Sequence, residues 1–218
     1  MQSLTQKIWE LGVPQGIFDL TVIKNVFPNV SDGARRALVN RALKSGEVSQ
    51  IRRGLYYLNE KFTKLTPHPF IVANRLIYPS FISMESALSF FGFIPEAVYQ
   101  VSSITPGRAI NIKTSLGVFY FHSVPSTFFY AGVNSERIIE DYWIFMATPL
   151  RAIADIVYTR KSVKWEKDGV GFLTKSLRIE NEQLFSLDLN RSDEIVGSLK
   201  NKRTRNYIEK LREYIYHD

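Results

Sequence analysis

The chain has 218 residues, 45% of them hydrophobic, no cysteine, a formal charge of +7 and a pI of about 9.5. That size and composition support a real core in two small domains or one large one, and the basic balance favours a polyanionic partner, nucleic acid first. The missing thiols exclude disulfide frameworks, thiolate zinc sites and cysteine nucleophiles; with no apolar run near ~18 residues and no leader pattern, the chain is expected in the cytoplasm and off the membrane.

Leu4, Ile8 and Leu11 predict a first helix over Ser3 to Leu11, closed by Gly12. Pro14 and Gly16 turn the chain, Phe18 to Leu20 supplies a short strand or lead-in, and Leu20, Ile23 and Phe27 line a second helix that Pro28 stops. Ser31 then caps a third helix, with Asp32 at its positive end and Gly46 where a left-handed residue ends it. Ala34, Leu38 and Ala42, with Val39 and Leu43 beside them, form its core face; Gly33, Arg36, Asn40 and Lys44 form an outward, basic one. Val48, Ile51, Leu55 and Tyr57 mark two short strands around a turn at Arg52, Arg53 and Gly54, where Gly54 supplies a positive φ. Of Tyr56 and Tyr57, alternation sends one to the core and one outward. Three helices and a basic hairpin read as a winged helix-turn-helix over residues 1–60.

Residues 61–218 read as a second domain, mixed α/β, entered through a Lys- and Pro-bearing connector between Asn59 and Pro69. Phe70 to Leu76 and Ser83 to Phe91 read as helices, the second capped by Ser83 and ended by Gly92. Val98 to Ile104, Ala109 to Thr114 and Gly117 to Phe121 read as a small antiparallel sheet, drawn as a meander. Pro149 opens an apolar helix through Leu150, Ile153, Ala154 and Val157, and a basic helix runs from Leu199 to Tyr216. The expected class is therefore α+β.

Four blocks of this sequence resemble the AbiEi family of antitoxins and related transcriptional regulators: IRRGLYYL at the hairpin, YPSFISMESALSFFGFIPE from Tyr78 to Glu96, VSSITPGRAINIKTSLGVFYFHSV, and MATPLRAIADIVY from Met146 to Tyr158. Leu150 and Arg151 stand where that family has a glutamate and a basic residue, so Arg151 matches in type and Leu150 departs. The resemblance implies a DNA-binding N-terminal domain that represses its own operon, in a type IV toxin-antitoxin or abortive-infection (phage defence) system. It also implies a C-terminal domain that counteracts a nucleotidyltransferase toxin without a stable complex. Protein- or RNA-binding adaptors and stand-alone regulators are the alternatives.

On residue chemistry alone, the DNA contacts expected are Arg36, Asn40 and Lys44, flanked by Arg35 and Arg41, with Arg52 and Arg53 at the wing. Arginine reads guanine and asparagine reads adenine bidentately in the major groove, and lysine neutralises phosphate. Arg35 lies near the apolar side, where it either reaches a flanking phosphate or shields the core. Lys200, Lys202, Arg203 and Arg205 of the last helix are either a second nucleic-acid contact or solvated cations on a helix that buries Leu199, Tyr207, Ile208, Leu211 and Ile215. His68, His122 and His217 have no metal-ligand spacing and read as isolated polar or core residues. Glu136, Glu140 and Asp141 are the nearest approach to a carboxylate cluster, with Glu136 and Glu140 on one helix face if that stretch is helical, and read as a surface patch. Neither catalytic residues, a metal nor a cofactor is expected. The aromatics from Phe119 to Tyr130 have only Lys113 as a nearby cation, so they read as core rather than as a single-stranded nucleic-acid platform.

Overall fold

The computed structural model describes residues 3–95, 100–139 and 142–217. The chain is α+β and divides into two compact units, Met1–Val72 with Lys113–Gly117, and Ala73–Ile112 with Val118–Asp218.

The first unit holds α1 (Leu4–Glu10), β1 (Ile17–Asp19), α2 (Leu20–Val26), α3 (Asp32–Lys44), β2 (Val48–Arg52) and β3 (Leu55–Leu58). A side chain caps each helix start. Ser3 Oγ accepts from Gln6 N at 3.1 Å, Asp19 Oδ1 from Thr21 N and Val22 N at 2.9 and 3.0 Å, and Ser31 Oγ from Ala34 N at 3.3 Å. The three strands make a small antiparallel sheet with β3 in the centre. Leu4 and Ile8 of α1, Ile23 of α2, and Leu38, Val39 and Ala42 of α3 close one core with Phe18, Val48, Tyr56 and Leu58. Three expected core positions lie outside it: Leu11 and Leu20 are each 56% exposed, and Ala34 is exposed. Leu11 falls one residue past the end of α1, Leu20 is the first residue of α2, and Ala34 sits one turn before the first buried residue of α3. Tyr56 is the buried tyrosine of the pair, and Tyr57 is half-buried.

The connector contains one short turn of helix, α4 (Glu60–Thr63), and leads to α5 (Pro69–Leu76). The second unit continues with β4 (Phe81–Ile82), α6 (Met84–Phe90), β5 (Val101–Thr105), β6 (Ile110–Thr114), β7 (Gly117–Ser123), β8 (Val133–Ile139), β9 (Tyr142–Ala147) and α7 (Pro149–Thr159). It ends with α8 (Trp165–Asp168), α9 (Asn181–Phe185), α10 (Ser192–Ser198) and α11 (Lys202–His217). Strands β4 to β9 form one mixed sheet in the order β6-β7-β5-β4-β9-β8. Here the expected meander does not form. The chain leaves β5, runs out to β6 at the sheet edge and returns through β7, so β5 and β7 lie side by side and parallel. A second parallel pair joins β4 to β9, while β4 with β5 and β8 with β9 are antiparallel. Glu136 lies in strand β8 and not on a helix; Glu96, Ala97, Val98, Glu140 and Asp141 lie outside the described residues.

Every residue of α7 from Leu150 to Val157 is buried. Thr148 Oγ caps it by accepting from Arg151 N at 3.4 Å, Pro149 occupies its first turn, and it packs against α6 and α11. Among the described residues no helix is long and apolar enough to cross a membrane.

Candidate nucleic-acid interface

The geometry of α3 follows from its two ends. Ser31 fixes the first turn, and Gly46, at φ +64°, lets the chain reverse as Gly46 N and Glu47 N donate to the carbonyls of Leu43 and Ala42. Asn59 then ties the hairpin to that turn: its Nδ2 donates to Gly46 O at 2.6 Å and its Oδ1 accepts from Ser49 Oγ at 2.7 Å. At the far end of the hairpin Gly54, at φ +84°, closes the turn with Arg53. A side-chain carbon at Gly54 would stand 3.5 Å from Leu20 Cδ1, so the turn lies against the start of α2.

Leu20 also lines a cleft of about 310 Å³ between α2 and α3, with Ile23, Val39 and Tyr56 as its apolar lining and Lys24, Asp32, Arg35, Arg36 and Asn40 at its polar positions. Arg36, Asn40 and Lys44 are exposed along one side of α3, and Arg52 and Arg53 are exposed at the hairpin turn. Arg36 and Asn40 thus share the cleft with Lys24, while the turn that carries Arg52 and Arg53 touches the same cleft through Leu20. Arg41 is exposed too, but it lines a different concavity with Ser3 and Leu38, roughly 140° around the helix from Arg36.

Arg35 has an intramolecular place. Its Nε and Nη2 donate to Phe27 O at 2.9 and 2.8 Å, Nη2 also to Pro28 O at 2.9 Å, and Nη1 to Asp32 Oδ1 at 2.7 Å, leaving its side chain 12% exposed. The guanidinium gathers the carbonyls left over at the end of α2 and fixes the angle at which α3 leaves the turn.

The last helix divides its cations. Arg203 donates through Nη2 to Val157 O at 2.8 Å and Tyr158 O at 3.2 Å, and through Nη1 to Val163 O, which closes the end of α7. Arg205 Nη2 donates to Leu199 O at 2.5 Å, Lys210 pairs with Glu213 at 2.7 Å and Arg212 with Asp193 at 2.8 Å. Tyr207, Ile208 and Leu211 are fully buried. Arg203 therefore serves the fold, while Lys200, Lys202 and Arg205 are exposed.

The sequence gives no warning of the second unit's polar core. Arg151 and Asp155, one turn apart on α7, are both fully buried and pair at 3.0 Å. Arg151 Nη1 donates to Ala131 O at 2.5 Å and the guanidinium stands 5.1 Å over the Phe81 ring. Ser83 Oγ donates to Asp155 Oδ2 at 2.7 Å instead of capping α6. Burial pushes the Asp155 carboxyl above its ordinary value, against the pull of Arg151 and Ser83. Burial also lowers His122, which the charges of Glu85 and Asp155 partly hold up. Ser83 and the Arg151–Asp155 pair come from two of the blocks quoted above, and they meet at one place. With Ser83, Arg151 and Asp155 closed to solvent, the arrangement fastens α6 to α7 and offers no accessible nucleophile. Among the described residues no three His, Asp or Glu stand together in a way that could hold a metal ion.

No family model and no curated protein matches this chain.

Proposed function

We propose that this chain is a sequence-specific DNA-binding repressor whose first unit is a winged helix-turn-helix. The reading is supported by Arg36 and Asn40 of α3, which line a cleft with Lys24 of α2, by Lys44 exposed further along α3, and by Arg52 and Arg53 exposed at a β2–β3 turn that lies against Leu20 of that cleft. In this reading α3 enters the major groove, Arg36 and Asn40 meet base edges, Lys44 meets phosphate, and the hairpin reaches the adjacent backbone or minor groove. Arg35 orients α3 without touching DNA, and Arg41 reaches at most a flanking phosphate. The formal charge of +7 supports a polyanionic partner.

The four-block resemblance extends the proposal to a cytoplasmic antitoxin that represses its own operon and counters a neighbouring nucleotidyltransferase toxin without binding it. A stand-alone regulator is the same reading without the toxin, and neither form uses a catalytic residue or a cofactor. A gel shift and footprint on the DNA upstream of the chain's own gene tests the core of it. A protected inverted repeat that survives competitor DNA is expected; weak, salt-labile binding indifferent to sequence would overturn it.

A further inference from the structure

A second surface, on the other unit, has the chemistry of a nucleic-acid contact of a different kind. In β9 the side chains alternate: Ile144 and Met146 are buried, while Trp143 and Phe145 are 62% and 42% exposed on the opposite face. Strand β8 is the sheet edge, and its register puts Arg137 directly across from Trp143 and Ser135 across from Phe145, so a cation and a hydroxyl share the face with the two rings. Both are exposed. Glu136 is turned to the other side, opposite Ile144, and among the described residues of the two strands no carboxylate stands on the aromatic face. The platform continues off the sheet, where Tyr130 lies 5.3 Å from Phe145 by ring centroids and is 39% exposed.

Exposed flat rings interleaved with a cation on a sheet, in a chain of net charge +7, match unstacked bases and the phosphates that join them. A duplex keeps its bases stacked inside and offers these rings nothing to stack on. We infer that the β8–β9 face binds single-stranded nucleic acid, with Trp143 and Phe145 stacking bases and Arg137 meeting the backbone.

The test measures fluorescence anisotropy of labelled oligo(dT) and oligo(rU) of about a dozen nucleotides with the full-length chain. The wild type is expected to bind, Trp143→Ala to lose about 5- to 150-fold, and Trp143→Phe to keep most of the affinity, since an aromatic face suffices. Arg137→Ala is expected to weaken binding and flatten its salt dependence by about one ion. Arg36→Ala with Asn40→Ala should leave oligonucleotide binding intact, and Trp143→Ala should leave duplex binding intact, so this inference and the repressor reading fail separately. Oligonucleotide affinity equal in wild type and Trp143→Ala would overturn it. So would a dimer that Trp143→Ala dissociates, which would assign the face to a second copy.

Discussion

Arg35 shows how one guanidinium can look like a DNA contact in sequence and serve another purpose in the fold. It sits beside Arg36 in a basic run, yet it binds two backbone carbonyls and Asp32, and only the position of the α2–α3 turn reveals this. Arg35→Ala is expected to lower the stability of the first unit by about 1–3 kcal/mol in urea unfolding, because the part-buried Phe27 carbonyl loses two charged donors. The Arg151–Asp155 pair follows the same logic in the second unit. Its i, i+4 spacing is legible, but such pairs ordinarily lie on a helix surface, and the sequence does not say that this helix is buried on all sides. Removing one partner by Asp155→Asn or Arg151→Leu should cost about 3–5 kcal/mol, while Arg151→Met with Asp155→Leu should recover part of the loss, as measured by urea midpoints. A loss in the double variant equal to or greater than in either single one would contradict the assignment of the cost to an uncompensated charge. His68 adds a pH dependence. Its Nδ1 accepts from Phe70 N at 3.2 Å at the start of α5, and burial holds its pKa below the ordinary value. A depressed folded pKa means that the unfolded chain takes up the proton first, so stability is present above about 6.5 and falls as pH drops through the folded value. His68→Asn keeps the acceptor and should show a smaller drop in urea midpoint between neutral and mildly acid pH.

At the scale of elements, legibility follows how local the determining interactions are. Helix α3 is bounded by a serine cap and a glycine in left-handed conformation, both within its own sequence, and it lies where that sequence places it. The β2–β3 hairpin is just as local, since Gly54 closes it within one turn. Strands β8 and β9 are not legible in this way. Val133–Ile139 alternates weakly, and Tyr142–Ala147 is so apolar that its period does not separate strand from helix; they pair with each other as neighbours in sequence, and β9 joins the sheet through the distant β4. The order β6-β7-β5 is likewise a long-range choice, since three strands in a row fit a meander equally well by pattern alone. The aromatic face depends on a different pairing: Trp143 and Arg137 become neighbours through the β8–β9 register.

For the whole molecule, the net charge of +7 favours a polyanionic partner, and the proposed reading assigns it to the first unit. A net +7 implies affinity that falls steeply with salt for any nucleic acid, so affinity alone does not establish a reader. What separates a reading helix from a basic surface is the difference between base contacts and phosphate contacts. The decisive measurement compares the affinities of wild type, Arg36→Ala, Asn40→Ala and Arg53→Ala for the protected operator and for the same DNA with single base pairs changed, at several salt concentrations. As base-reading residues, Arg36→Ala and Asn40→Ala are each expected to lose about 1–3 kcal/mol on the operator and become indifferent to the base pair they read. Arg53→Ala is expected to weaken every sequence alike and lower the salt slope by about one. Equal weakening from all three substitutions, with sequence preference unchanged, would contradict the assignment of α3 as the reading helix.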